Sequence, residues 1–492
     1  MTTRFRMTAA WLLVVACAVA SGENRRVVDA AKERDLAAVR ALLNSRADVN
    51  VPQGDGATAL HWAVHWNEIE IARLILRAGA RVNAANDLGV TPLSLACLNA
   101  NPAMVSELLT AGANPNLAQR SGETPLMTAA LTGNIEVVKL LLSRGAEPNA
   151  RETGRKQTAL MRAVASGHPG VVRELVAAGA DVKARSANRF TAMLFAAQQG
   201  NIESARILLA AGADVNDTAP DGIGGDTNAR MLFKPNTEAG TLLVAIDSEQ
   251  ESMARFLVEN GADVNQNGAG RTPLHAAVQH QMSELAKVLL GKGADPNARL
   301  EKPLPLLSRA ILQAAGVDTY TKGATPFWLA ADFGDVGMMR LLVERGADPR
   351  LTTVDKTTPL MAAACVDFVD GQDRYGRRLM EASLMKVQLA AIEASRLAME
   401  LGNDINAVND NGLTALHGGA YMGSTILIQF LVDHGAKLDV PNKLGQTPYY
   451  ITQGVYQSGS YYVRKEAGEL LRKLGADTTI GAEMKHGDPV KR

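Results

Sequence analysis

A threonine followed by a small residue or proline and then an apolar residue returns at Thr58, Thr91, Thr124, Thr158 and Thr191, at intervals of 33, 33, 34 and 33 residues. The same unit continues at Thr241, Thr272, Thr325, Thr358, Thr414 and Thr447, and a glycine follows each threonine 20 to 44 residues later. A period in the low thirties means that one supersecondary unit is copied and stacked, each copy burying its neighbour, in place of a single central core.

Each part of the unit has a physical reading. Thr91-Pro92-Leu93-Ser94-Leu95-Ala96 sets a hydroxyl N-cap before a proline whose missing N–H costs nothing in a first turn, so a helix starts there. The fifth residue after the threonine is small in nine of eleven units, from Ala63 to Gly419, which lets a neighbouring backbone come close. A short break such as Thr132-Gly133-Asn134 precedes a second apolar helix, Ile135 to Leu142, with its apolar positions at helical spacing. This helix ends at a glycine in all eleven units, Gly79 to Gly475, as a left-handed C′ position requires. About a dozen residues rich in Asp, Asn and Gly then lead to the next threonine and predict a turn or hairpin.

These residues resemble the ankyrin-repeat family, whose run Gly-x-Thr-Pro-Leu-His-x-Ala-Ala, then Val-Val-x-x-Leu-Leu, then Gly-Ala-Asp-x-Asn is matched closely from Gly270 to Asn297. The resemblance covers nearly the whole chain after residue 26 and implies an all-α repeat solenoid of about twelve stacked helix-turn-helix units joined by hairpin loops. The first is a partial unit, Val27 to Asn50, with Arg46 where the others have glycine; it reads as a degenerate cap. The expected organisation is a leader over 1–20, a solenoid over 27–478 and a polar tail over 479–492. Insertions fall near 217–237, 299–321 and 366–388.

Charge narrows the partners. The chain of 492 residues has 51 basic and 51 acidic residues, a balance that argues against a nucleic-acid footprint, which shows as a basic face. Arg4 and Arg6 precede the apolar run Ala9 to Ala20, too short to span a bilayer and shaped like a secretory leader with small residues before Ser21. Export to the periplasm or exterior is therefore expected. Val14-Val15-Ala16-Cys17 also resembles a bacterial lipobox, so an anchored lipoprotein modified at Cys17 is the alternative. Beyond the leader only Cys97 and Cys365 remain, seven units and on the order of 60 Å apart at helix-packing spacing, too far to bridge. Cys97 reads as core, and Cys365 as nearer the surface.

No catalytic motif stands out. Gly-x-Ser-x-Gly, His-Glu-x-x-His, a phosphate loop with Gly-Lys-Ser/Thr and Cys-x-x-Cys are all missing, and no cofactor is implied. His61, His275 and His417 each stand three after their threonine, where the resemblance implies a structural histidine bonding within and between units. His61 and His65 are also an i, i+4 pair that could share a metal, although the structural role of His61 weighs against it.

Three intervals break the period. The first, after Gly212, is Gly-rich around Gly222 to Gly225 and reads as an extended finger. In the second, after Gly293, Leu306, Leu307, Ala310, Ile311 and Ala314 fall at helical spacing. The third lies inside a unit. No Pro or Gly occurs from Leu379 to Leu401, so the second helix should start early, behind an Asp- and Arg-rich loop from Asp367 to Arg378. At the C-terminus Tyr449, Tyr450, Tyr456, Tyr461 and Tyr462 suit a final unit that must meet solvent.

In ankyrin-type stacks a concave face lined by hairpins and by the exposed ends of first helices holds partners. Carried onto this chain, those positions are seven and eight after each threonine: His65 and Trp66, Leu98 and Asn99, Leu131, Gln198, Gln279 and His280, Asp332 and Phe333, Tyr421 and Met422. Trp66 is balanced between anchoring a partner and packing on a neighbour, while Phe333 and Tyr421, beside insertions, favour packing. The expected function is a non-enzymatic scaffold or adaptor for a protein partner. The alternative is a small-molecule or metal-binding accessory to an extracytoplasmic enzyme, with His61, His65 and Trp66 as its pocket.

Overall fold

The computed structural model describes residues 26–220, 238–302, 321–365, 381–457 and 460–480, with backbone alone at 220, 381–383, 455–457 and 460–462. The leader with Cys17 and Ser21, the Gly222–Gly225 finger, the helix expected around Leu306 and the Asp367–Arg378 loop lie outside these residues, as does most of the tail.

Twelve helix pairs follow one another among the described residues, six in a compact unit ending at Asp217 and six in a second that begins at Thr218. The cause of each first helix is local. Thr91 Oγ1 accepts the Ser94 N–H at 3.2 Å ahead of helix Pro92–Leu98, and Thr124 Oγ1 accepts the Met127 N–H at 3.3 Å ahead of Pro125–Thr132. Thr241 differs from the expected pattern. Its helix, Thr241–Asp247, begins one residue early with Gly240 as cap, where a two-stranded ladder pairing Thr218–Pro220 with Glu238–Gly240 delivers the chain.

Within each compact unit, first helices pack on first helices of the next pair and second on second. The small residue at +5 is what allows it: Ala63, Ala96, Ala129 and Ala163 are fully buried, as are Ala277, Ala330 and Ala363 in the second unit. In the second helix Ile135–Ser143, Val137, Val138 and Leu141 turn inward. All eleven closing glycines have positive φ, between +80° and +100°, and Arg46 takes φ +60° in the cap unit. Hairpins close on themselves, as where Asn86 N–H donates to Val90 O at 3.0 Å and Asn409 N–H to Leu413 O at 3.0 Å.

Two cross-links tie consecutive pairs. Nδ1 of His61, His275 and His417 accepts the N–H of its threonine at 3.1, 3.2 and 3.0 Å. An accepting Nδ1 leaves the proton on Nε2, which donates to the carbonyl before the next threonine, Val90 O, Ala324 O or Gln446 O, at 3.0 to 3.3 Å. Trp328, in the same slot, makes the equivalent link through Nε1–H to Thr357 O at 3.0 Å. The second cross-link is an asparagine ladder. Asn116 donates to Gly145 O at 2.8 Å and accepts Glu147 N–H at 2.8 Å, and Asn83, Asn149, Asn265, Asn297 and Asn406 repeat this. Lys183 and Arg350 occupy the slot in two units. At the second break Asn403 Nδ2 donates instead to Pro349 O at 3.0 Å.

Cys365 corrects its expected place near the surface. It is as buried as Cys97, because the chain turns at φ +63° directly after helix Pro359–Ala363 and folds it inward. The third insertion returns as helix Glu381–Glu400, of 20 residues against nine for Val336–Glu344 before it. Ala391, Ala394, Leu397 and Ala398 are buried, while Met385 and Leu389 near its start are exposed. No helix among the described residues is long and apolar enough to cross a membrane.

Candidate functional site

The rows of first helices decide which side chains can meet a partner. In the compact unit 26–217 three large apolar residues stand open at the ends of successive first helices: Trp66 (42% exposed), Leu98 (56%) and Leu131 (46%). His65 is exposed and Gln198 half-buried. Asn99, also half-buried, is a connector. Its Nδ2 lies within 2.9 to 3.3 Å of Val64 O, His65 O and Asn67 Oδ1, tying its helix end to the previous one.

Trp66 belongs to a built cluster. Trp62 stacks on it at 6.5 Å and 24°, one helical turn away, and the His65 ring meets both edgewise at 4.7 and 5.6 Å. Lys32 Nζ lies 4.8 Å over the Trp62 ring and the Arg34 guanidinium 5.9 Å from that of Trp66. Gln53 Oε1 accepts the Trp62 Nε1–H at 3.0 Å. The i, i+4 pair of tryptophans was the sequence signal for this cluster, and Trp62 was missed because its slot is not one of the two at the helix end. Arg34 sits in the turn at φ +62°, which no periodicity shows.

The metal reading of His61 and His65 is overturned. Both ring nitrogens of His61 are used inside the stack, Nδ1 accepting the Thr58 N–H and Nε2–H donating to Val90 O, so its one lone pair is already taken. His65 instead lies among the tryptophans.

In the compact unit that begins at Thr218 the expected surface is largely covered. Asp332 (3% exposed) and Met422 (3%) are buried, correcting their expected exposure, and Phe333 (8%) is packed, the reading its place beside an insertion favoured, which removes it from the contact positions. The long helix Glu381–Glu400 is the cause at Phe333. Ala390 approaches the neighbouring Gly334 so closely that a Cβ there would lie 3.2 Å from the alanine methyl. At Met422 the C-terminal pair intervenes, with Arg464 lying across Gly423 and its Nε donating to Tyr421 O at 3.3 Å. Tyr421 is half-buried, and desolvation pushes its phenol up to about 12.

Gln279 and His280, both half-buried, end helix Pro273–Gln279 beside a charged group that the sequence did not announce. Arg271, buried, grips Asp247 with two bonds of 3.0 and 2.7 Å, and His280 stands between Asp247 at 3.5 Å and Glu249 at 3.8 Å. Burial would raise the Asp247 pKa, but the Arg271 charge and the His280 and Arg271 hydrogen bonds outweigh it and hold the carboxyl low. The group is an ion-pair lock between successive pairs. Among the described residues no three His, Cys, Asp or Glu gather as metal ligands.

Comparison with known proteins matches this architecture along most of the chain. Profiles described as ankyrin repeats match residues 80–152, 126–219 and 225–299 in one form and 27–76 and 386–432 in another, and the single ankyrin repeat matches 322–354. Human ankyrin repeat and SOCS box protein 16 is 35% identical over 270 residues, 52% of this chain and 56% of that protein. Human Rabankyrin-5 is 34% identical over 117 residues, 23% of this chain and 10% of its own length. The human neurogenic locus notch homolog protein 1 is 28% identical over 269 residues, 54% of this chain and 8% of its own length. The matched stretches thus span about half of these relatives or far less.

Proposed function

We propose that this chain, which belongs to the ankyrin-repeat family, is a non-enzymatic, exported scaffold or adaptor that holds a protein partner. Its contact surface is the row of first-helix ends in the compact unit 26–217. One observation carries the reading. Trp66, Leu98 and Leu131 leave large apolar surface in water on three successive first helices whose other faces are buried, and exposed aromatic and aliphatic anchors on a rigid support are what interfaces use. The non-enzymatic part rests on the sequence, in which no nucleophile, acid and base set converges. Export rests on the leader Arg4 to Ala20.

A photo-crosslinking residue at Leu98 in the native host, compared with the triple variant Trp66→Ala, Leu98→Ala, Leu131→Ala, tests the surface. The parent should capture a defined partner and the folded variant should lose it. Retention of every partner by the variant sinks the reading. For export, mass spectrometry of the mature N-terminus should find Ser21 or an acylated Cys17; an intact leader would refute it.

A further inference from the structure

The hairpins between pairs need one residue in the left-handed region, and glycine usually supplies it: Gly56, Gly89, Gly122, Gly412 and Gly445 have φ between +76° and +82°. Three hairpins place a cation there instead, Lys156 at φ +56°, Arg189 at +64° and Lys356 at +64°. A side chain in this region is strained relative to glycine. Lys356 shows one use. Its Nζ meets Asp410 Oδ1 of the next hairpin at 2.7 Å.

Lys156 stands in the same geometry without that carboxylate. Asp410 N–H donates to Asp355 O at 2.8 Å, and Ala187 N–H donates to Arg155 O at 2.7 Å, so Ala187 occupies beside Lys156 the slot that Asp410 occupies beside Lys356. Thr153 N–H donates to Ser121 O at 2.9 Å and Arg120 N–H to Leu88 O at 3.2 Å, which sets these hairpin tips in one continuous row. Residues 119–123, 150–157 and 183–189 hold seven basic residues against two acidic ones in a chain that is neutral overall. Both acids are already engaged: Glu123 bonds Arg162 at 2.9 Å, and buried Glu152 accepts the Gly154 and Gln157 N–H groups at 2.6 and 3.1 Å. Arg120, Arg155 and Lys156 are exposed and form no ion pair with other described residues.

We propose that Arg120, Arg155 and Lys156 form a docking strip for an acidic stretch of the protein partner, an inference that rests on the interaction reading and gives the partner its chemistry. Charge complementarity selects the carboxylates. Exposed Leu88, beside Arg120 in the row, favours a polypeptide over a nucleic acid, since a phosphate backbone gains nothing from a leucine. Successive tips lie about 10 Å apart, close to the roughly 9 Å at which a chain in the polyproline II conformation repeats its facing side chain every third residue.

The test uses the full chain and a fluorescein-labelled peptide of about ten glutamates, followed by anisotropy at low and physiological salt. The double variant Lys156→Gly, Arg155→Gln should bind at least about tenfold more weakly while melting no lower than the parent, because glycine relaxes the Lys156 slot and Arg155 has no ion pair among the described residues to lose. Ala187→Asp should weaken binding without removing any cation, by giving Lys156 the intramolecular carboxylate that Lys356 has. A parent that ignores the peptide at low salt, or variants that bind it as the parent does, overturns the strip. A single-stranded oligonucleotide of equal charge that binds as tightly as the peptide overturns the polypeptide assignment. Peptide affinity should be untouched by Trp66→Ala, Leu98→Ala, Leu131→Ala, so failure of the strip and failure of the first-helix surface read out separately.

Discussion

At the scale of single residues, the buried histidines carry a pH dependence that their position alone does not reveal. Desolvation pushes His275 and His417 down to about 4, against the partial opposition of hydrogen bonds to Ala324 O and Gln446 O. The unfolded chain, with ordinary imidazoles, then takes up protons first. Their contribution is complete above about pH 6.5 and is lost as pH falls towards 4, on the order of 3 kcal/mol for each. Urea midpoints should therefore drop between pH 7.5 and 4.5. The double variant His275→Met, His417→Met, with the residue this slot has at Met127 and Met361, should show a flatter profile; an unchanged slope would refute the assignment. Arg46 is a second residue-scale case. It holds the left-handed position that glycine holds elsewhere, so Arg46→Gly should raise stability by about 0.5–1 kcal/mol, seen as a higher melting temperature. Both the +3 histidines and the exceptional Arg46 were legible in the sequence, since each is a departure or a recurrence at a fixed offset. The metal pairing of His61 was not decidable there, because whether a ring nitrogen is free depends on a carbonyl 29 residues away.

At the scale of elements, helix starts and stops followed from local chemistry, whereas the asparagine ladder needed neighbours. Asn116→Ala removes one donor and one acceptor bond between pairs and should cost about 1–2 kcal/mol by urea titration. Arg350→Ala, in the slot where the rung is replaced by Asn403, should fall within about 0.5 kcal/mol of the parent. Equal costs would show that the ladder contributes nothing specific. The long helix Glu381–Glu400 was readable from an uninterrupted stretch with an apolar stripe. That Phe333 packs was suggested by its place beside an insertion, but that a helix residue 57 positions later lies across the Gly334 turn was not, because the covering element is a matter of tertiary placement.

At the scale of the whole molecule, each compact unit is held by neighbour-to-neighbour contacts, so damage should stay local. Leu141→Ala opens a cavity in a fully buried site and should cost about 2–5 kcal/mol. Hydrogen exchange should show protection falling most in helices Pro125–Thr132, Ile135–Ser143 and the pairs on either side, and least at Val27–Lys32; a uniform loss across residues 26–217 would contradict the stacking picture. The sequence by itself determined the period, the helix pairs, their caps and their glycine stops, because these depend on residues within one turn or one repeat of each other. Tertiary structure alone decided which copies of the same helix-end position face water. Trp66, Leu98 and Leu131 remain open, while Asp332 and Met422, at matching offsets, are buried. The sequence pattern gives each copy the same address, but exposure is set by what the insertion and the terminal pair lay over it, and that coverage has no local signature.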